Sequence, residues 1–197
     1  VRNVGKKFIC TEEVSQKAYS LVFQKKYEHF KDEAVLNFLD YLINYYKDGT
    51  FSRRLVKKNL ALGFGLNWNG NNKLSFLRTK ASFKLNPDQN IEPAKNAFFS
   101  ELNEVKNVNI DEHKRYIMKS VKLLNLKSAL KMTTLLEFSG TLVSEGYSLD
   151  YLQKLIGSIK DLKQEEFTAW IENHLLKKQF YTEGIVLNGE GKKCADL

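Results

Sequence analysis

The amino-acid sequence predicts a single α+β domain in which an antiparallel or mixed sheet carries helices packed on one face. Three observations lead there. Period-two runs occur around Tyr19 to Tyr27, Leu62 to Leu85 and Phe180 to Leu187, amphipathic helical runs fall between them, and the two kinds come in blocks rather than alternating. A doubly wound or barrel architecture needs that alternation, and neither a G-x-G-x-x-G nor a phosphate-loop pattern occurs.

In the first run Tyr19, Leu21 and Phe23 alternate with Ser20 and Gln24, as a half-buried strand requires. A helix follows from about His29 to Lys47, with Leu36, Leu39, Leu42, Ile43 and Tyr46 on its apolar face and Asp48-Gly49 as its stop. Ser52 is expected to cap a short second helix reaching Leu60. Leu62, Phe64, Leu66 and Trp68 then alternate with Gly63, Gly65 and Asn67, giving a strand with one bare face. Asn69-Gly70-Asn71-Asn72 supplies residues that tolerate positive φ, so this strand and the next, Lys73 to Leu85, should pair as an antiparallel hairpin.

Pro93 suits the first turn of a helix with Ala94, Ala97, Phe98, Leu102 and Val105 inward, and Asp111 opens a helical stretch reaching Glu145. Gly146 reads as a C-cap and Ser148 as the N-cap of a helix faced by Leu149, Leu152, Leu155, Ile156 and Ile159. A last helix carries Phe167, Trp170, Ile171 and Leu175, and Phe180 to Leu187 reads as a strand. Lys192 to Leu197 is expected to fray, leaving an ordered core of about 14–190 within one domain, 1–197.

With 43% hydrophobic and 12% aromatic residues, 197 residues suffice for a substantial core. No segment is apolar over the length needed to span a bilayer. The start at Val1 is read as that of a processed or excised piece, with any targeting signal outside it. The net charge of +8 is spread in short pairs such as Lys25-Lys26, Lys57-Lys58 and Lys177-Lys178 with acids interspersed, the pattern of a solvated surface rather than a nucleic-acid footprint. Cys10 and Cys194 match neither a disulfide framework nor a zinc spacing, so free thiols are expected, with a terminus-to-terminus bridge as the alternative.

The run VLNFLDYLINYYKDGTFSRRLVKKNLALGFGLNW, from Val35 to Trp68, resembles the helix, Gly-Ser-Arg-Leu turn and strand of insulinase/pitrilysin-type zinc metallopeptidases, including mitochondrial processing peptidase subunits. The likeness continues through NPDQNIEPAKNAF, IDEHKRY and FYTEGIVLNGEG, and covers nearly the whole chain. It implies one of two homologous α+β halves that close around a peptide, only one of which presents H-x-x-E-H on its first long helix. Here the matching turn reads Asn37-Phe38-Leu39-Asp40-Tyr41, so both histidine positions are lost and only the Asp40 carboxylate remains. Glu101, Glu104 and Glu112 are the downstream carboxylates considered for a third ligand.

His29 and Glu33 lie four apart, but at a helix start, where acids meet the positive end of the dipole, so they are read as structural. His113 and His174 offer no ligand spacing, and no nucleophile context occurs. In active relatives the non-catalytic half contributes an arginine and, seven residues later, a tyrosine to the substrate; here Lys57 and Leu62 stand nearest, with Phe64 the neighbouring aromatic. Arg53 and Arg54 match the arginine of the turn; both are expected to hold the corner, with substrate contact by Arg54 as the alternative. Gly63 and Gly65 would admit a peptide close to the backbone or else serve tight packing or a bulge.

The resemblance therefore implies a non-catalytic domain or subunit, with no metal and no peptidase activity of its own, pairing with a zinc-bearing half around a peptide substrate. The alternative is a structural or assembly protein reusing the fold, as respiratory-complex core subunits do. No nucleic acid, membrane span or cofactor is expected in this chain. The resemblance leans toward a bacterial periplasm or cell envelope.

Overall fold

The computed structural model describes residues 6–12, 14–45, 51–71, 75–129, 150–177, 181–189 and 193–196. Strand β1 (Lys7–Glu12) and strand β2 (Lys17–Lys26) lead into helix α1 (His29–Asn44) and the short helix α2 (Phe51–Lys57). The hairpin β3 (Gly63–Asn71) and β4 (Phe76–Leu85) follows, then α3 (Glu92–Val105) and α4 (Asp111–Ala129). After α5 (Tyr151–Asp161) and α6 (Gln164–Ile171), a π-helical turn at Glu172–Leu176 precedes β5 (Tyr181–Asn188) and β6 (Lys193–Asp196). The expected stop at Asp48-Gly49 and the caps at Gly146 and Ser148 lie outside the described residues.

The strands form one six-stranded mixed sheet in the order β3-β4-β2-β5-β1-β6. Among the described residues only β1 and β5 run parallel. One row of the register joins Phe64, Phe83, Tyr19, Ile185 and Ile9 across five strands. This row and its alternate neighbours, odd-numbered in β2, β4, β5 and β1 and even-numbered in β3, face the helices, and burial follows: Tyr19, Leu21, Phe23, Leu77, Ala81, Phe83 and Leu85 are buried beneath α1 and α3, together with Phe38, Phe98 and Phe167. Phe98 centres an aromatic cluster, with ring centroids 5.6 Å from Phe64, 6.0 Å from Phe83 and 6.2 Å from Phe51.

Two buried carboxylates at the start of α1 tie this layer to the sheet. Asp32, with no solvent exposure, accepts hydrogen bonds from Lys25 Nζ of β2 and Trp170 Nε1 of α6 at 2.6 Å, and from the Glu28 backbone N–H at 2.6 Å. The last of these caps the helix from inside its first turn. Glu33 accepts the hydroxyls of Tyr27 and of Tyr151 on α5. Tyr27 in turn lies flat on Gly70, where a Cβ would come within 2.6 Å of its ring, so β3 requires glycine at this point for close approach. Gly70 thus sits within β3 and not in a positive-φ turn; Ser75 has the positive φ near this hairpin among the described residues.

Three further expectations change. The chain end at Lys193–Asp196 is a strand antiparallel to β1, not a frayed tail, and β1 itself lies outside the expected ordered core. Backbone pairing between distant segments outweighs their weak local signals. Cys10 and Cys194 are opposite one another in that pairing and form a disulfide, so the expectation of free thiols is replaced by the terminus-to-terminus bridge. Ser52 does not cap α2: its Oγ accepts the Phe64 backbone N–H at 3.1 Å, serving the strand beyond the corner. Helix α2 ends instead on Asn59 at φ 52°, with Leu60 N bonded to Leu55 O and Asn59 N to Val56 O, the paired bonds of a Schellman turn.

The bridge closes a loop with a sequence separation of 184, which in the chain-entropy account is worth about 5 kcal/mol before native-state costs. Replacing both cysteines by serine, or adding reductant, is expected to lower unfolding free energy by about 2–5 kcal/mol in urea titrations. Equal midpoints with and without reductant would show that the sulfurs are not joined.

Candidate functional site

The turn Asn37 to Tyr41 lies on the side of α1 that faces α4, and each side chain there already has an intramolecular role. Asn37 Nδ2 donates to the Glu33 carbonyl at 2.8 Å, back along its own helix. Asp40 accepts from Asn44 Nδ2 at 2.7 Å. Tyr41 packs its ring 4.8 Å from Tyr116 and 5.4 Å from His113, both on α4. Together with Tyr45, Ile117, Ser120, Val121 and Leu123 these residues border a groove of about 290 Å³. Burial pushes the Asp40 carboxyl above its ordinary range, and the Asn44 amide offsets this only in part.

This donor set does not fit a zinc ion. Asn37 offers an amide engaged with a main-chain carbonyl and Tyr41 a phenol packed at a tilt against two rings, and neither is the imidazole that zinc favours. Of the downstream carboxylates, Glu101 pairs with Arg54 and Glu112 accepts from Asn109 Nδ2 at 2.9 Å. Among the described residues, no group of three His, Cys, Asp or Glu side chains is arranged to hold a metal.

The histidines are likewise absorbed into packing. His29 stacks on Tyr27 at 5.6 Å, so it and Glu33 use the same tyrosine for different contacts and do not converge as a ligand pair. His174 lies 5.3 Å from Trp170, and burial, aided by the Lys25 charge, lowers its pKa. The His174–Trp170 contact follows from their i, i+4 spacing on one continuous helical stretch, whereas the His29–Tyr27 contact depends on the turn between β2 and α1 and is not readable from spacing.

The residues considered for substrate contact are scattered. Lys57 is exposed at the last turn of α2, and Leu62, 43% exposed, begins the approach to β3. Phe64 is instead held between Phe51 at 4.8 Å and Phe83 at 5.1 Å on the helix side of the sheet. Arg54 reaches from α2 to the Glu101 carboxylate of α3, only 7% exposed, with its guanidinium 5.7 Å from the Phe51 ring. Gly63 and Gly65 need neither a bulge nor tight packing. The β3–β4 register runs through them unbroken, and an added Cβ would make ordinary contacts at 3.9 Å and 3.6 Å.

Two substitutions test these placements. Arg54→Ala leaves Glu101 without its cation and is expected to cost about 2 kcal/mol in unfolding free energy; a loss below about 0.5 kcal/mol would mean that the pair holds nothing together. Asp40 binds its proton more tightly folded than unfolded, so it makes stability fall as pH rises from the ordinary carboxylate range through its raised folded pKa. Asp40→Asn should remove that decline, giving equal or slightly greater stability than the parent at pH 7 and no such gain at pH 3. Urea midpoints at the two pH values measure it, and a larger gain at pH 3 would reverse the sign.

The family profile described as the peptidase M16 inactive domain matches residues 2–121. No curated protein sequence matches the chain. Among solved structures, a protease from Helicobacter pylori superposes with a TM-score of 0.72 at 15% identity, covering 94% of this chain and 44% of that one. The inactive peptidase domain of a proposed zinc protease from Bordetella parapertussis gives 0.70 at 13%, covering 91% and 97%. The first half of a periplasmic protease from Escherichia coli gives 0.63 at 14%, covering 96% and 43%. The chain therefore spans less than half of the Helicobacter protease and about the whole of the Bordetella domain. Identities this low establish the shared fold, while the profile spans well over half of the 197 residues: the chain belongs to the family of peptidase M16 inactive domains.

Proposed function

We propose that this domain is the non-catalytic half of a zinc metallopeptidase, which pairs with an H-x-x-E-H-bearing half, in the same polypeptide or in a partner subunit, and completes a closed chamber around a peptide. The observation that carries the reading is the state of the first helix. In a domain with this family's inactive-half fold, the two positions where ligands would stand are Asn37 and Tyr41, committed to a backbone carbonyl and to α4. Such a domain contributes shape and surface to a chamber, and the chemistry belongs to its partner, where zinc would activate water.

The Cys10–Cys194 bridge supports folding in an oxidising compartment, since disulfides joining distant segments persist there and are rare in reducing cytosol. A bacterial periplasm or cell envelope fits, and the Escherichia coli relative is itself periplasmic.

The isolated chain is expected to purify without stoichiometric zinc and to leave quenched peptides uncut, while co-expression with the parent organism's H-x-x-E-H half yields a defined complex on size exclusion. Asn37→His with Tyr41→His should not restore activity, because Asp40 is a methylene shorter than glutamate and misplacement by about 1 Å can cost ~10²-fold. Stoichiometric metal by elemental analysis, with chelator-sensitive cleavage by the unmodified chain, would overturn the reading. So would failure to associate with any catalytic half of that organism.

A further inference from the structure

The groove between α1 and α4 gathers aromatic rings around a single acid. Of the five large hydrophobic side chains that are exposed among the described residues, three stand around it: Tyr45, 68% exposed, Tyr116, 53%, and Leu123, 46%. Helical spacing groups them, because Tyr45 lies one turn beyond Tyr41 at the end of α1, and Tyr116, Ser120 and Leu123 follow one another along α4. Ile117 and Val121, both buried, line its apolar part. The rings of Tyr41 and Tyr116 are 4.8 Å apart and tilted by 40°, so they open away from one another rather than stacking flat.

Asp40 is the one charged side chain bordering the groove among the described residues. The chain holds 31 Lys and Arg against 23 Asp and Glu, and α4 alone carries Lys114, Arg115, Lys119 and Lys122, yet none of these cations lines the groove. Asn44 Nδ2 donates to Asp40 Oδ1 at 2.7 Å, and among the described residues no other donor and no cation reaches the carboxylate. Other acids withdrawn from water are treated differently: Asp32 has Lys25, Glu101 has Arg54 and Glu183 has Lys95. Burial accordingly raises the Asp40 carboxyl above its ordinary range, the mark of an acid whose counter-charge the domain does not supply.

We infer that this groove is a binding site for an organic cation, the guanidinium or ammonium end of an Arg or Lys side chain of a peptide, which would sit against the rings of Tyr41, Tyr45 and Tyr116 and donate to the remaining oxygen of Asp40. Aromatic faces attract cations within about 6 Å of the ring centroid, and a carboxylate oxygen gives the cation's N–H groups a direction. An apolar side chain would meet the same rings but leave the acid withdrawn from water without a counter-charge. The volume of about 290 Å³ is at the low end of the ~300–1,000 Å³ of small-molecule sites, room for one side chain rather than a cofactor. Arginine should bind more tightly than lysine, since its plane can lie on a ring while its edge donates to the carboxylate. That the cation belongs to a peptide rests on the chamber reading; that the groove takes a cation rests on its own residues.

The test uses the isolated chain at 0.15 M salt, where its net charge of +8 is screened beyond about 8 Å. It is titrated with an eight-residue Gly/Ser peptide carrying one central Arg, and with counterparts carrying Lys, citrulline, norleucine or Glu. Amide and tyrosine-ring NMR shifts report both affinity and place. The Arg peptide should shift residues of the Asn37–Tyr45 and Tyr116–Leu123 stretches and bind at least tenfold more tightly than the citrulline, norleucine and Glu peptides, with the Lys peptide between. Asp40→Asn removes a charge that burial disfavours and is expected to fold at least as well at pH 7, yet it should weaken Arg binding at least tenfold. Tyr116→Ala, at an exposed position, should weaken it at least fivefold, while Glu165→Gln, which removes an exposed carboxylate on α6, should leave it unchanged. No binding of the Arg peptide, equal binding of citrulline or norleucine, shifts confined to other surfaces, or equal weakening by Glu165→Gln would overturn the proposal. Pairing is scored separately on size exclusion, so a failed complex with intact arginine binding would overturn the chamber reading alone.

Discussion

The arrangement depends on a carboxylate that no water reaches. Asp32 is fully buried and would be costly there alone, since an ionised group removed from water needs both a counter-charge and hydrogen bonds. Its donors come from three directions: Lys25 from the sheet, the Glu28 amide from the helix start, and Trp170 from α6. Satisfying one charge therefore fixes α1 on β2 and α6 against both. Lys25 also lies 5.7 Å from the Trp170 ring, so the cation serves the carboxylate and the indole together. Glu33 repeats the device one residue on, binding Tyr27 and Tyr151 and so drawing in α5.

That anchoring explains which parts of the fold were legible in the sequence. Where burial has one direction and repeats, as along α1 or at Tyr19, Leu21 and Phe23, periodicity reports it, and the β3–β4 hairpin follows from its alternation. The short strands β1 and β6 carry too few residues for a pattern to stand out, and their pairing joins opposite ends of the chain. The Cys10–Cys194 bridge follows from that pairing and could not be chosen over free thiols without it. Ser52 failed for a related reason. Its local context suits a helix cap, yet the amide it satisfies belongs to Phe64 in the next strand.

The candidate site divides in the same way. That Asn37 and Tyr41 are not imidazoles is written in residue identity and needs no coordinates. What occupies the place is not, because Tyr41 meets Tyr116 and His113 from a helix about seventy residues later, a distance over which spacing says nothing. Arg54 is legible as a corner residue, but nothing in the sequence positions its partner Glu101, which lies forty-seven residues on in α3. Phe64 shows the opposite failure: an aromatic in an alternating strand belongs to whichever face the register assigns, and the register turned it toward Phe98.

One face of the sheet is thus filled largely by rings and aliphatic chains, with Thr79, Lys25 and Glu183 among them, while the other carries mostly small and polar residues with the cations Lys26, Arg78, Lys80 and Lys84 and the acid Glu12. A sheet that only needed a solvated back would gain from β-branched residues at Gly65 and Gly184 and from acids interspersed among Arg78, Lys80 and Lys84, as they are elsewhere on this chain. Here the strands forgo both. Gly70 has a steric reason in Tyr27, whereas a Cβ on Gly184 would meet nothing within 4 Å among the described residues. The same sheet thus holds its helix layer through buried, partnered groups, and Asn37 and Tyr41 on α1 are engaged by a main-chain carbonyl and by α4, so the tightest commitments of this domain lie on its helix side.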